Sequence, residues 1–304
     1  MPVPAPGPVT CAPAPRARRS VFGNYLPPSA DVSEPKAPPS PLDAPITPPP
    51  DGDADRAAFS RAFVLQFLAR AFDYPGPETW AWLCAPDVQQ GLQAAVEALE
   101  PNPTAPLATA RRTLPDVFLP GVFTAFHDDY IAAIGHAARG SCPANEIEYG
   151  DLKADPLFQP HRLADLAAFY RAFGVELTGS AGERHDHLSV ELEFVSVLAA
   201  QEASLLNGAP AHEALRVCRD AQRKFLREHL ARWTPAFARR LQRAVGKGPL
   251  ARLAAFLLAF VESECHRTGI PPGSEDLLLR PADEAASLCD GCGLKPPVPG
   301  ATAD

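Results

Sequence analysis

The chain has 304 residues, a formal net charge of −8 and 46% hydrophobic residues, a content that excludes disorder along its whole length. Its 36 prolines are unevenly spread, with 16 in residues 1–54 and 6 in residues 269–304. Neither end of the chain nor the stretch between them carries a surplus of Lys and Arg, which argues against a protein that tracks nucleic-acid phosphates.

Composition divides the chain into a Pro-rich disordered tail over 1–54, a body over 55–268 and a second flexible tail over 269–304. A body of that length fits one domain with a sizeable apolar core. Its longest apolar run, Leu253 to Val261 between Arg252 and Glu262, is too short to span a membrane. The seven cysteines are scattered, which suits a reducing compartment. Arg18-Arg19 is followed by Gly23-Asn24-Tyr25-Leu26-Pro27-Pro28 and not by the apolar stretch of an export signal. The chain is therefore expected to stay in the cytoplasm.

From Asp55, a plausible helix N-cap, Phe59, Phe63, Val64, Phe67, Leu68, Ala71 and Phe72 recur at helical spacing until Pro75-Gly76-Pro77. A short helix with Trp80 and Trp82 follows, then one over about 87–100. The stretch 121–134, with Phe123, Phe126, Tyr130 and Ile134, is helical again. A loop from Gly135 to Pro160 leads to an amphipathic helix over 161–173, stopped by Gly174. Further helices are expected over 186–207, 211–232, 235–245 and 249–267, the last three opened or preceded by Pro210, Pro235 and Pro249. Residues 225–241 read as two helices joined by a tight turn at Pro235, with His229 on a helix surface or against that turn. No run alternates like a strand, so the fold class is all-α, one domain of about eight helices.

The densest polar cluster runs from Glu183 through Arg184, His185, Asp186 and His187 into Leu188-Ser189-Val190-Glu191. Two readings are open. In one, Asp186 caps the helix and the nearby carboxylates favour its N-terminal dipole. In the other, His187 and Glu191, one turn apart on one face, ligate a metal. The sequence has no Glu-x-x-His pair for a di-iron bundle, no second His after His212-Glu213 for a zinc protease, and no nucleophile elbow or phosphate-binding glycine loop. An enzyme is disfavoured by elimination. Cys289 and Cys292 form a lone C-x-x-C, half of a zinc site that would need Cys142, Cys265 or His266, and otherwise a pair of free thiols. The three tryptophans could line a peptide groove or fill the core.

In their order along the chain, four motifs resemble those of the TorD/DmsD/NarJ family of molybdoenzyme maturation chaperones. Glu183-Arg184-His185-Asp186-His187 running into Glu191-Leu192-Glu193-Phe194 is similar to the family's E-R-P-D-H-x-x-x-E-L-E-F signature, with His185 where proline is usual. Tyr130 followed by Pro143-Ala144-Asn145-Glu146-Ile147-Glu148-Tyr149 resembles a helix end and its P-x-x-E/S-x-Y loop. Phe169-Tyr170-Arg171-Ala172-Phe173-Gly174 and Phe225-Leu226-Arg227-Glu228-His229-Leu230 with Trp233 complete the set.

The resemblance spans about 59–265. It implies an all-helical, TorD-like chaperone without a cofactor of its own. Such a protein binds the catalytic subunit of a molybdopterin-containing oxidoreductase, often at its twin-arginine leader, until the cofactor is inserted. Cys142 beside Pro143 and the C-terminal Cys pair suggest the branch serving the dimethyl sulfoxide reductase class. By carry-over, Asp186 and His187 stand at the corner where the family recognises its client, and Glu191, Tyr130, Glu146 and Tyr149 support or extend that surface. The protein is expected to be a monomer or a homodimer, the loop 135–160 being a candidate hinge for exchange of helices.

Overall fold

A computed structural model of the chain describes residues 52–135, 139–150, 158–176, 184–208 and 211–280. They form ten α-helices: α1 Asp53–Ala71, α2 Pro77–Cys84, α3 Pro86–Leu99, α4 Pro106–Arg111, α5 Phe123–Ala133, α6 Phe158–Ala172, α7 Leu188–Asn207, α8 His212–Phe225, α9 Ala231–Val245 and α10 Pro249–Thr268. The described residues contain only isolated bridges in place of strands, and none of their helices is long and apolar enough to cross a membrane. The fold is all-α, as the periodicity predicts. Pro77, Pro86, Pro106 and Pro249 each open a helix, where a missing N–H costs nothing and the fixed φ already suits the first turn. Pro210 lies outside the described residues. Asp55 does not cap α1: Gly52 holds the cap position, and Asp55 lies one turn into the helix with its Oδ1 accepting from the Arg56 N–H at 2.8 Å.

Helix α1 packs against α7 along its length and against α3 on another side. Phe63, Val64, Phe67 and Leu68 from α1 are buried with Leu192, Phe194, Val195 and Leu198 from α7. A helix covered on several sides needs apolar residues around most of its circumference, which is why the α1 stripe is so wide. Trp80 joins the core beside Phe118, Phe123 and Phe126, Trp233 is fully buried, and Trp82 lies under the guanidinium of Arg70 at 4.3 Å. The tryptophans are therefore packing residues.

One polar network crosses this core. Arg61 of α1 donates to Glu202 of α7 at 2.9 Å, to Glu264 of α10 at 3.2 Å and to Gln222 of α8. Arg219 and Arg267 close the second oxygens of Glu202 and Glu264 at 2.7 and 3.1 Å. Four helices are thus pinned in register by one guanidinium, whose planar fork of donors suits several acceptors at once. Burial alone would raise the Glu202 carboxyl; Arg61 and Arg219 outweigh it and bring the group down to about 2.

The C-terminal half differs from expectation at Pro235. The chain does not turn there: α8 runs through a π-helical turn, Leu226–Leu230, into α9, and Pro235 lies inside α9. Proline in a helix interior cannot donate to the carbonyl four residues back, here Ala231. That carbonyl instead accepts from the N–H of Gly273 at 2.9 Å, so no buried acceptor is left unpaired.

Gly273 belongs to a non-helical strap, 270–280, with a turn at Glu275 and Asp276, that leaves α10 through left-handed Gly269, φ 66°. The strap crosses α9 and pairs with the loop after α5: Gly150 N–H donates to Leu278 O at 3.1 Å and Arg280 N–H to Glu148 O at 2.9 Å. The body thus extends beyond residue 268, and the boundary drawn from composition falls short of it.

Candidate functional site

The signature segment meets the loop 141–150 by backbone pairing. Glu146 N–H donates to Asp186 O and Leu188 N–H to Ala144 O, both at 2.8 Å. Arg184 to His187 form a tight turn closed by His187 N–H to Arg184 O at 3.0 Å. His185 occupies its second position, the one proline favours in such turns. Its ring stacks on Tyr170, centroids 6.0 Å apart, and its carbonyl accepts from the Tyr170 hydroxyl at 2.7 Å.

Asp186 is not the cap of α7. Its carboxylate accepts from the Ile147 N–H at 3.3 Å and from Arg184 at 2.7 and 2.9 Å, so it caps the one-turn helix Glu146–Glu148 across the chain. His187 takes the cap position of α7, with Nδ1 accepting from the Ser189 N–H at 3.3 Å.

Glu146 is the centre of the site and is fully buried. Its Oε1 faces Arg162 of α6 at 2.9 Å and Arg232 of α9 at 3.2 Å, and its Oε2 lies 2.9 Å from His229 Nδ1 in the π-helical turn. The other nitrogen of His229 is 3.3 Å from Asp165 of α6. Arg232 also donates to Tyr149 O at 3.3 Å. A buried carboxylate is tolerable only when its lone pairs are met, and here α6, α9 and the turn before α9 supply the donors. The π-helical turn adds one residue to the helical circuit, and His229 lies within it facing the loop.

Glu191 lies beside this centre with a poorer share. Its Oε2 accepts from Trp233 Nε1 at 3.2 Å, while its Oε1 has no hydrogen-bond partner among the described residues. Burial, reinforced by the neighbouring Glu146 carboxylate, holds its pKa well above the usual carboxylate range. Tyr149 packs its ring on Trp233, centroids 5.3 Å apart, and burial raises its phenol pKa too.

Of the six residues carried over from the family pattern, Glu146, Tyr149, Asp186, His187 and Glu191 converge on this junction. Tyr130 is engaged elsewhere: its hydroxyl donates to Phe72 O at 3.1 Å and its ring meets Tyr74. All six are buried, and the five other than Tyr130 hold the corner together from inside. The most exposed polar side chains of the junction are Arg184 and Asp165, each about half exposed, while Arg232 and Arg162 reach solvent to a smaller extent.

Sequence reasoning missed Arg162 and Arg232; it placed His229 on a helix surface or against a turn at Pro235, and His229 is instead fully buried within the π-helical turn. The one available signal was polar residues inside otherwise apolar helical stripes. As for the metal reading, His187 and Glu191 are committed to Ser189 and Trp233. Among the described residues no three His, Cys, Asp or Glu side chains are grouped to hold an ion. Cys142 and Cys265 are buried thiols; Glu183, Cys289 and Cys292 lie outside the described residues.

The family model described as "Nitrate reductase delta subunit" matches residues 100–239. The dimethyl sulfide dehydrogenase assembly chaperone of Rhodovulum sulfidophilum is 30% identical over 223 residues, covering 71% of this chain and 84% of that protein. The chlorate reductase assembly chaperone of Ideonella dechloratans is 37% identical over 116 residues, 36% of this chain and 54% of its own. The selenate reductase assembly chaperone of Thauera selenatis is 42% identical over 81 residues, 26% of this chain and 40% of its own. The chain thus spans about half the length, or less, of these last two relatives.

Proposed function

Because the chain belongs to the TorD/NarJ family of molybdoenzyme assembly chaperones, we propose that it binds the catalytic subunit of a molybdopterin-containing oxidoreductase in the cytoplasm. On this reading it is a chaperone and not an enzyme. The client is of the dimethyl sulfoxide reductase class and is held, through its twin-arginine leader, until the cofactor is in place and export can follow. The observation that carries the reading is the similarity to the dimethyl sulfide dehydrogenase assembly chaperone over 84% of that protein.

Physical chemistry supports it. A leader is basic and then apolar, and a chain of net charge −8 attracts its basic end. The buried junction supplies rigidity: Asp186, Glu146 and His229 fix the loop 144–149 against α7 and α9, and a preorganised surface loses less entropy when a client docks. Client contacts then fall to groups around the junction that solvent reaches.

The test is co-purification of the tagged full chain with the catalytic subunit encoded beside it, and titration with that subunit's synthetic leader. Retention of the subunit is expected. Failure both to retain it and to bind the leader would overturn the reading.

A further inference from the structure

We propose that the strap 270–280 is an internal stand-in for the client, seated in a slot that receives an extended segment of the incoming polypeptide. The inference rests on the chaperone reading above and adds the surface and the mode of recognition. Three features carry it.

First, the strap is fastened by its main chain. Gly273 N–H donates to Ala231 O at 2.9 Å, Gly150 N–H to Leu278 O at 3.1 Å and Arg280 N–H to Glu148 O at 2.9 Å, and Tyr149 pairs with Leu279 in an antiparallel bridge. Main-chain pairing is indifferent to side chains, so another extended chain can make the same bonds.

Second, the slot exists independently of the strap's sequence. The acceptor at Ala231 is vacated by Pro235 within α9, and the edge offered by Glu148 and Gly150 is held from behind by Glu146 and Arg232, the latter donating to Tyr149 O. When the strap leaves, these groups need a replacement, and exchange for another backbone satisfies them at little net cost.

Third, the strap carries the ingredients of a leader. Leu277-Leu278-Leu279 is followed by Arg280, an apolar run beside a basic residue, in the reverse order to a twin-arginine leader. Leu277 and Leu279 pack against the core and Arg280 is buried, whereas Leu278 is 57% exposed. An apolar segment flanked by arginine therefore fits the slot; a chain running the other way pairs parallel, with the one residue facing Tyr149 both donating to Glu148 O and accepting from Gly150 N–H.

Gly273 gives the means to open the slot in the full chain. A Cβ there would stand 1.9 Å from Arg232 O, so Gly273→Val must lift the strap off α9. We expect Gly273→Val to bind a fluorescent synthetic leader of the neighbouring catalytic subunit at least about fivefold more tightly than wild type. Equal or weaker binding by a folded variant overturns the proposal.

Hydrogen exchange on the wild-type chain gives an independent readout. Adding the leader should remove protection from the Gly273 and Arg280 amides while the Gly150 amide, handed to the incoming chain, stays protected. If the leader binds and Arg280 keeps its protection, the strap proposal falls and the chaperone reading stands. If the wild type neither binds the leader nor retains the catalytic subunit, both fall.

Discussion

Trp233 donates its indole N–H to one oxygen of Glu191 at 3.2 Å, and the second oxygen of that buried carboxyl has no partner among the described residues. A charge held in this way is unfavourable, and burial with the nearby Glu146 carboxylate raises the Glu191 pKa. The sign of the linkage follows. A folded pKa above the unfolded value, roughly 4.3 for Glu, contributes stability that is complete below the unfolded value and lost as pH rises through the folded one.

Glu191→Gln keeps the acceptor for Trp233 and mimics the protonated acid. It should match wild type at or below about pH 4 and exceed it above neutrality, on the order of 1–3 kcal/mol, the cost of a badly met buried polar group. Urea denaturation at about pH 4 and pH 9 checks this. A variant less stable than wild type at pH 9 would show that the carboxylate is better solvated than its surroundings indicate.

Arg61 should behave in the opposite sense with acid. Glu202, brought down to about 2, and Glu264, also lowered despite its burial, hold their charge for this guanidinium. A depressed pKa contributes stability above the unfolded value that is lost as pH falls towards the folded one. Arg61→Met removes the shared partner of two buried carboxylates and should cost about 3–5 kcal/mol at pH 7. The wild type should lose stability between about pH 5 and pH 2 more steeply than the variant, as thermal melts across that range would register.

Asp186 is buried and Arg184 is half exposed, so their roles in client binding can be separated. Asp186→Ala frees the Ile147 N–H inside the loop and should raise exchange over 146–149 while weakening leader binding. Arg184→Ala removes the half-exposed partner of that buried carboxylate and leaves Asp186 to hold Ile147. It should preserve loop protection. If Arg184→Ala abolished binding with the loop still protected, direct contact at the corner would be the better account.

The helices were largely legible because periodicity is local. The expected 161–173 and 186–207 correspond to α6 and α7, within a few residues. Pro235 was misread because a helix can keep a proline only if something else takes the orphaned carbonyl, and the donor, Gly273, comes from another part of the chain. Leu277-Leu278-Leu279 was the one sign that the supposed tail had reason to pack. At the site, the motifs pointed to Glu146, Asp186 and Glu191, but not to whether they face solvent. That depends on Arg162, Arg232 and His229 arriving from helices well separated in sequence, a tertiary fact that periodicity does not carry.

His185 tests how far the family pattern reflects physics alone. It stands second in the turn from Arg184 to His187, where proline presets φ and lowers the entropy of the unfolded chain. A compatible substitution of that kind is worth about 0.4–1 kcal/mol. Against it stands the loss of the imidazole stacked on Tyr170, while the hydrogen bond from the Tyr170 hydroxyl uses the His185 carbonyl and survives. His185→Pro should therefore keep the fold, shift stability by no more than about 1 kcal/mol and retain leader binding. His185→Ala loses the stack without the gain in rigidity and should be the less stable of the two. Thermal melts of the pair decide the matter: if the alanine variant is the more stable, the turn does not have the backbone that proline requires.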